Sequence, residues 1–157
     1  MRETFEWEKN MMPFADDWYR AQGVKNIDRS VQCKKYDLIA DGMKIEEKFL
    51  FSGREYQKVL IEMVQDMSDG SLGWFYHSEA DRLAWFYCPS GHTERPMSVY
   101  IIQFKKLKEY VKKHLTKKQN EWVEFQVCNE HYGITLNLPI LWNDLIDNGV
   151  AKYYSIR

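Results

Sequence analysis

Asp37, Glu46 and Lys48 are the residues whose types and spacing could do chemistry. Glu46 and Lys48 stand two apart, so on a strand they share one face, while Ile45, Glu47 and Phe49 take the other. Asp37 precedes Asp41-Gly42, a tight-turn pair that joins hairpin strands, and pairing through that turn can bring its carboxylate towards Glu46. Two carboxylates and an ammonium would then converge on one patch. Hard carboxylate oxygens suit Mg²⁺ or Mn²⁺, which offsets charge on a phosphate diester and makes water nucleophilic near neutral pH. A lysine beside such a cation can orient or deprotonate the water, its pKa lowered by the cation, or can stabilise the charged transition state. The same letters also arise by chance on a solvent-facing strand. Against that, the segment 44–48 (KIEEK) is polar apart from Ile45 within an otherwise apolar strand, which costs stability unless those groups are solvated or coordinated.

The elements that must position these residues follow from periodicity. Lys35–Asp41 and Met43–Phe51 read as the two hairpin strands, and Gln57–Met67 as a third that extends the same sheet and ends at Ser68-Asp69-Gly70. Ser78-Glu79-Ala80-Asp81 reads as a helix N-cap or a single helical turn before a strand at Arg82–Cys88. A polar loop from Pro89 leads to a strand at Ser98–Phe104. Lys105–Lys118 is the clearest helix, with Leu107, Val111 and Leu115 on one stripe. Residues 3–22 have loosely helical spacing with Gly23 as the stop, and Pro13 is expected to kink or split that helix. The tail predicts strands at Glu124–Cys128 and Tyr132–Asn137, then a short helix around Leu141–Asp147 after Pro139. With no linker or composition break, residues 1–157 form one mixed α/β domain.

The run 36–49, YDLIADGMKIEEKF, resembles the core of the PD-(D/E)xK, or restriction-endonuclease-like, nuclease superfamily: an Asp opening one strand, a short turn, then E-x-K on the next. Tyr36 stands where the Pro of that name would be. The following VLIEMVQDMSDGSLGWFYHSEADRLAWFY and VYIIQFKKLKEYV are similar to compact members from phage and bacterial mobile elements. The likeness covers about residues 30–115, leaving an N-terminal helix and a C-terminal strand/helix extension that match loosely. It implies a mixed central β-sheet flanked by helices, Mg²⁺ or Mn²⁺ as cofactor, and hydrolysis of DNA phosphodiester bonds. Carried over, Asp37 and Glu46 become metal ligands and Lys48 the catalytic lysine. The backbone carbonyl of Glu47 becomes a further ligand, with Glu62 or an N-terminal helix carboxylate (Glu8 before Glu6) in outer-shell or second-metal roles.

Lys105, Lys106, Lys108, Lys112, Lys113, Lys117 and Lys118 would make one basic helical surface, either a solvated face or a phosphate-contacting one. The formal net charge of -1 argues against a protein that simply coats DNA, without excluding a nuclease whose basic surface is local. His77, His92, His114 and His131 share no metal-ligand spacing. His77 is expected in a hydrogen-bonded structural role, Asp81 in packing its turn against the sheet, and Trp74 and Trp85 in the core. Cys33, Cys88 and Cys128 form no C-x-x-C pair, which with the absence of a leader or membrane span points to an intracellular, cytoplasmic protein; the resemblance implies a bacterium or phage-infected host. DNA is the expected partner, with RNA open, and duplex cutting would call for a homodimer. Two other classes remain: a restriction-endonuclease-like module that binds nucleic acid or assembles without cleaving, and an interaction protein with an exposed aromatic patch.

Overall fold

The Asp41-Gly42 pair closes a two-residue hairpin between β2 (Leu38–Ala40) and β3 (Met43–Phe51), with Ala40 opposite Met43. Both turn residues have positive φ, 47° and 83°, as a type I′ turn requires. The Asp41 carboxylate accepts the backbone N–H groups of Lys25 and Asn26 at 3.0 and 2.8 Å, which ties the turn to β1 (Ile27–Asp28), the neighbour of β2. On its other edge β3 runs parallel to β6 (Arg82–Cys88). β6 pairs antiparallel with β7 (Ser98–Gln103), and β7 with β10 (Ala151–Ser155). The first sheet therefore has the order β1-β2-β3-β6-β7-β10 and is mixed.

This computed structural model describes residues 2–31, 35–90, 95–117, 124–130 and 133–156, without the side chains of 2–5, 116, 117 and 130. Cys33, His92, Lys118, His131 and the start of the expected strand at Tyr132 lie outside the described residues, as does the Lys117 side chain.

The third run does not extend the hairpin sheet. As β4 (Lys58–Asp66) it joins a second, antiparallel sheet of order β5-β4-β9-β8, with β5 at Ser71–Leu72, β8 at Gln126–Glu130 and β9 at Gly133–Leu141. The reason is that β3 already has β2 on one edge and β6 on the other, so no edge remains for the strand that follows it. The short helix expected around Leu141–Asp147 after Pro139 is α4 (Trp142–Asp147), with Pro139 inside β9 opposite Leu60. Residues 78–81 do not make a helical turn. The turn is earlier, α2 at Trp74–His77.

Helix α1 (Arg2–Ala21) is a single helix that contains Pro13 without splitting, because Pro13 is on its exposed side. Gly23, at φ 93°, ends it: its N–H bonds Arg20 O and the next N–H, of Val24, reaches back to Tyr19 O, a Schellman stop. Met11, Ala15 and Tyr19 at i, i+4, i+8 bury the inner stripe against Leu38, Ile45, Ala84, Phe86 and Val99 of the first sheet. Alternation sends Leu83, Tyr87, Tyr100 and Ile102 to the opposite face, where they pack with β4, β9, α4 and Leu107 and Val111 of α3 (Phe104–Lys117). Trp142 anchors this second core, stacked on Tyr100 at 3.8 Å and donating its indole N–H to Tyr87 Oη at 3.0 Å. The result is a mixed central sheet flanked by helices. No helix of the described residues is long and apolar enough to cross a membrane.

Candidate functional site

β3 carries a different chemistry on each face. Glu47 points towards α1 with its side chain 2 % exposed, and Arg29 grips it with two guanidinium bonds of 2.7 and 3.1 Å. Tyr19 Oη adds a third at 2.9 Å, and Arg29 also pairs with Asp16 at 2.7 Å. Burial holds the Glu47 carboxyl above its usual range, opposed by Arg29 and Tyr19. Glu46 and Lys48 point to the other face, where Lys48 Nζ lies 2.7 Å from Glu46 Oε1.

Asp37 acts electrostatically on both members of this pair. The β2–β3 register ends with Leu38 opposite Ile45, and Asp37 N–H also bonds Ile45 O at 2.8 Å, which holds Asp37 at the end of the ladder. The ladder from β2 stops there, and it is the Asp37 carboxylate that takes the next β3 donor, Glu47 N–H, at 2.6 Å. The segment 78–81 fixes the approach to Asp37. Ser78 Oγ and Glu79 N–H both donate to Lys35 O, and Lys35 forms an ion pair with Glu79. Asp81 holds the hairpin from the same segment, its carboxylate accepting Lys44 N–H at 2.9 Å and its own N–H donating to Lys44 O at 2.8 Å. Asp81 thus packs the turn onto the sheet, in line with its sequence reading.

Glu46 and Lys48 line a cleft of about 660 Å³ with Lys35, Glu62, Gln65, Trp74 and His77. Glu62 comes from β4 at a register shift against β9, between Glu62 and Val64. Gly73 lets the chain pass so close to β4 that an added Cβ would stand 2.3 Å from Glu62 O. That approach presents Trp74 N–H to Glu62 Oε1 at 3.2 Å, and Lys48 Nζ lies over the Trp74 ring at 5.8 Å.

Electrostatics tie these groups together. Burial raises the Glu46 carboxyl, Lys48 opposes the shift, and Asp37 and Glu62 add to it. Burial alone would lower the Lys48 ammonium, but Glu46, Asp37 and Glu62 outweigh it and the net shift is upward. Glu8 of α1 belongs to the same field: burial raises it, with Lys48 opposing and Asp37 reinforcing. Glu6 is exposed.

Among the described residues no three or more His, Cys, Asp or Glu side chains are gathered into a metal-holding group. Mg²⁺, however, is commonly held by one or two carboxylates, with water and substrate phosphate completing its shell. Glu46 and Asp37, whose charges act on one another, could supply carboxylates for that mode and not for an all-protein cage.

Lys105, Lys106, Lys108, Lys112 and Lys113 are exposed on α3. Lys106 Nζ donates to Gly149 O at 3.4 Å and Lys108 lies over the Phe104 ring at 4.8 Å, and Lys108, Lys35 and Lys44 all act on Glu79. His77 departs from expectation, since it is exposed on the cleft wall and makes no hydrogen bond among the described residues. Trp74, assigned to the core from sequence, is half-buried and forms cleft wall as well. Trp74 and His77 fall at i, i+3, a helical spacing that would have placed them on one side had the segment been read as a helix. Of the described cysteines, Cys88 and Cys128 are free, and burial pushes the Cys88 thiol up to about 12.

No family model, curated protein or solved structure matches this chain significantly.

Proposed function

We propose that the protein is a Mg²⁺- or Mn²⁺-dependent nuclease of the restriction-endonuclease-like type that hydrolyses DNA phosphodiester bonds at Asp37, Glu46 and Lys48. The observation that carries this reading is the placement of Glu46 and Lys48 on one face of β3, with Asp37 at the end of the β2 ladder, where its charge acts on both. The order of elements supports it: a hairpin bearing Asp and E-x-K, a strand with Ile61-Glu62, Gly73-Trp74, the 78–81 segment, two strands and a helix follow one another along the runs that carry the resemblance.

Asp37 and Glu46 would hold the cation, with the Glu47 carbonyl as the expected backbone ligand and Glu62 or Glu8 in an outer role. When bound, the cation would offset phosphate charge and activate water. Lys48, held as an ammonium by the surrounding carboxylates, is suited to neutralise charge on the phosphate during attack. The exposed lysines of α3 would contact phosphates elsewhere along the strand.

The alternative is a nucleic-acid-binding or assembly module that does not cleave. It draws on the Lys48–Glu46 ion pair, which engages one of the ligand oxygens. The test incubates the protein with single- and double-stranded DNA in Mg²⁺, Mn²⁺ or EDTA, beside Glu46→Ala and Lys48→Ala. Cleavage that needs the metal and is lost in both variants is expected. Cleavage in EDTA, or surviving both substitutions, refutes the mechanism, and binding without cleavage in either metal selects the module.

A further inference from the structure

Beside the Glu46–Lys48 cleft a second cavity of about 770 Å³ opens, and Glu62 and Trp74 belong to the walls of both. Its place follows from the alternation of β3. Leu50 follows Glu46 and Lys48 on the same face, and the parallel register sets Trp85 beside Lys48 and Tyr87 beside Leu50. Same-face neighbours on a strand are roughly 6.5 Å apart, so the charged row passes into an aromatic one within a side-chain step or two.

The cavity has the size of a small-ligand site. Trp74, Trp85 and Tyr56 supply aromatic surfaces, while Gln57 and Gln126 supply amides that can both donate and accept. Arg54 and Lys58 also line it, the Arg54 guanidinium lying 4.9 Å over the Tyr56 ring. Glu55 and Glu62 on the same walls disfavour a phosphate inside. An uncharged, flat ring with hydrogen-bonding edges meets all of these conditions, and stacking on aromatic side chains is how proteins hold unpaired bases.

We propose that this cavity takes an unpaired nucleobase of the strand whose phosphodiester lies at the Glu46–Lys48 cleft. The nucleic acid acted on is then single-stranded, or carries an unpaired nucleotide next to the bond that is cut. The phosphate half of the proposal rests on the nuclease reading, whereas the base half does not.

Binding is therefore measured in EDTA, where cleavage is not required, through quenching of tryptophan fluorescence in the full chain. The probes are a short oligothymidylate, the same strand with abasic sites, its duplex with oligodeoxyadenylate, and thymidine monophosphate. The single strand is expected to bind at least about tenfold tighter than the duplex, and abasic sites to weaken it by about 5- to 100-fold. Tyr56→Ala, at a residue 41 % exposed and so compatible with folding, is expected to weaken the strand by at least about fivefold. Gln57→Ala should weaken it as well. Equal binding of duplex and strand, or no loss at abasic sites, overturns the proposal. A mononucleotide that binds as tightly as the oligomer overturns the strand assignment in favour of a free nucleotide. Base-dependent binding without cleavage in any metal removes the nuclease reading and keeps the cavity. Metal-dependent cleavage with no base dependence does the reverse.

Discussion

Removing Arg29 isolates what holds the back of the candidate site. Glu47 is 2 % exposed at its side chain, and Arg29 supplies two of its three side-chain hydrogen bonds as well as the opposing charge. Arg29→Ala leaves a buried carboxylate with Tyr19 as its remaining side-chain partner. Breaking a buried ion pair from one side costs about 3–5 kcal/mol. For a domain of this size each kcal/mol moves Tm by about 2–4 °C, so a loss of about 6–20 °C is expected at neutral pH. Acid should relieve part of it. Burial already raises the Glu47 carboxyl, and without Arg29 it rises further. A raised carboxyl makes the folded state bind its proton more tightly than the unfolded state does. The penalty is then complete above the folded pKa and vanishes below the ordinary carboxylate range, about 4.3. Relative to wild type, the variant's Tm deficit should therefore shrink as pH falls from about 7 towards about 5. Replacing both partners with apolar residues, Arg29→Met with Glu47→Met, should recover most of the loss, because it removes the uncompensated charge. Thermal melts followed by circular dichroism across that pH range are sufficient. A deficit below about 2 °C at neutral pH, or one that does not change with pH, would refute the account of Glu47 as a buried charge that depends on Arg29.

Glu46→Gln removes the 2.7 Å partner of Lys48, the first of the three carboxylates that raise its ammonium. The Lys48 pKa should fall, as read by NMR titration of the lysine side chain. A raised lysine contributes stability below its unfolded pKa and loses it as pH climbs through the folded one, so this contribution of Lys48 shrinks in the variant, while the penalty of the raised Glu46 carboxyl is removed with it. An unchanged Lys48 titration would contradict the coupling. Gly73→Ala puts a Cβ 2.3 Å from Glu62 O, where backbone must give way. A loss of about 1–3 kcal/mol is expected, seen in urea melts, with weaker protection of the Trp74 amide from hydrogen exchange as its contact with Glu62 opens.

How much of this was legible in the sequence depended on how local the cause was. The hairpin was, because Asp41-Gly42 specifies its own turn and the alternation of 44–48 fixes which residues share a face. The sheet to which β4 belongs was not, because that depends on β9, more than seventy residues further along, and on β6 having taken the free edge of β3. The same three letters show how far context decides. Trp74-Phe75-Tyr76 is helix and Trp85-Phe86-Tyr87 is strand. Glu62 takes the Trp74 N–H at the start of the first, while the second lies between two paired strands. Pro13 does not split α1, because a proline on the solvent side of a long amphipathic helix leaves the carbonyl it strands open to water. Arg29, Asp16 and Tyr19 carry no spacing that announces their meeting at Glu47, and only the packing of α1 on the sheet brings them there.

That meeting bears on the site itself. Glu47 lies between Glu46 and Lys48 in the strand, with its side chain clamped by Arg29 and Tyr19 and its N–H held by Asp37. The two residues that face the cleft are thus displayed from a backbone fixed on both sides, which is what a site needing its groups in set positions demands. Yet the carboxylates proposed to hold a cation also raise the Lys48 ammonium. By themselves they hold Lys48 protonated at neutral pH and unable to accept a proton. For Lys48 to serve as a base, positive charge must first offset that field. For it to serve as an electrostatic partner of phosphate, the field is already in the right sense. Of the two roles open to Lys48, the arrangement of this chain's own residues favours the second.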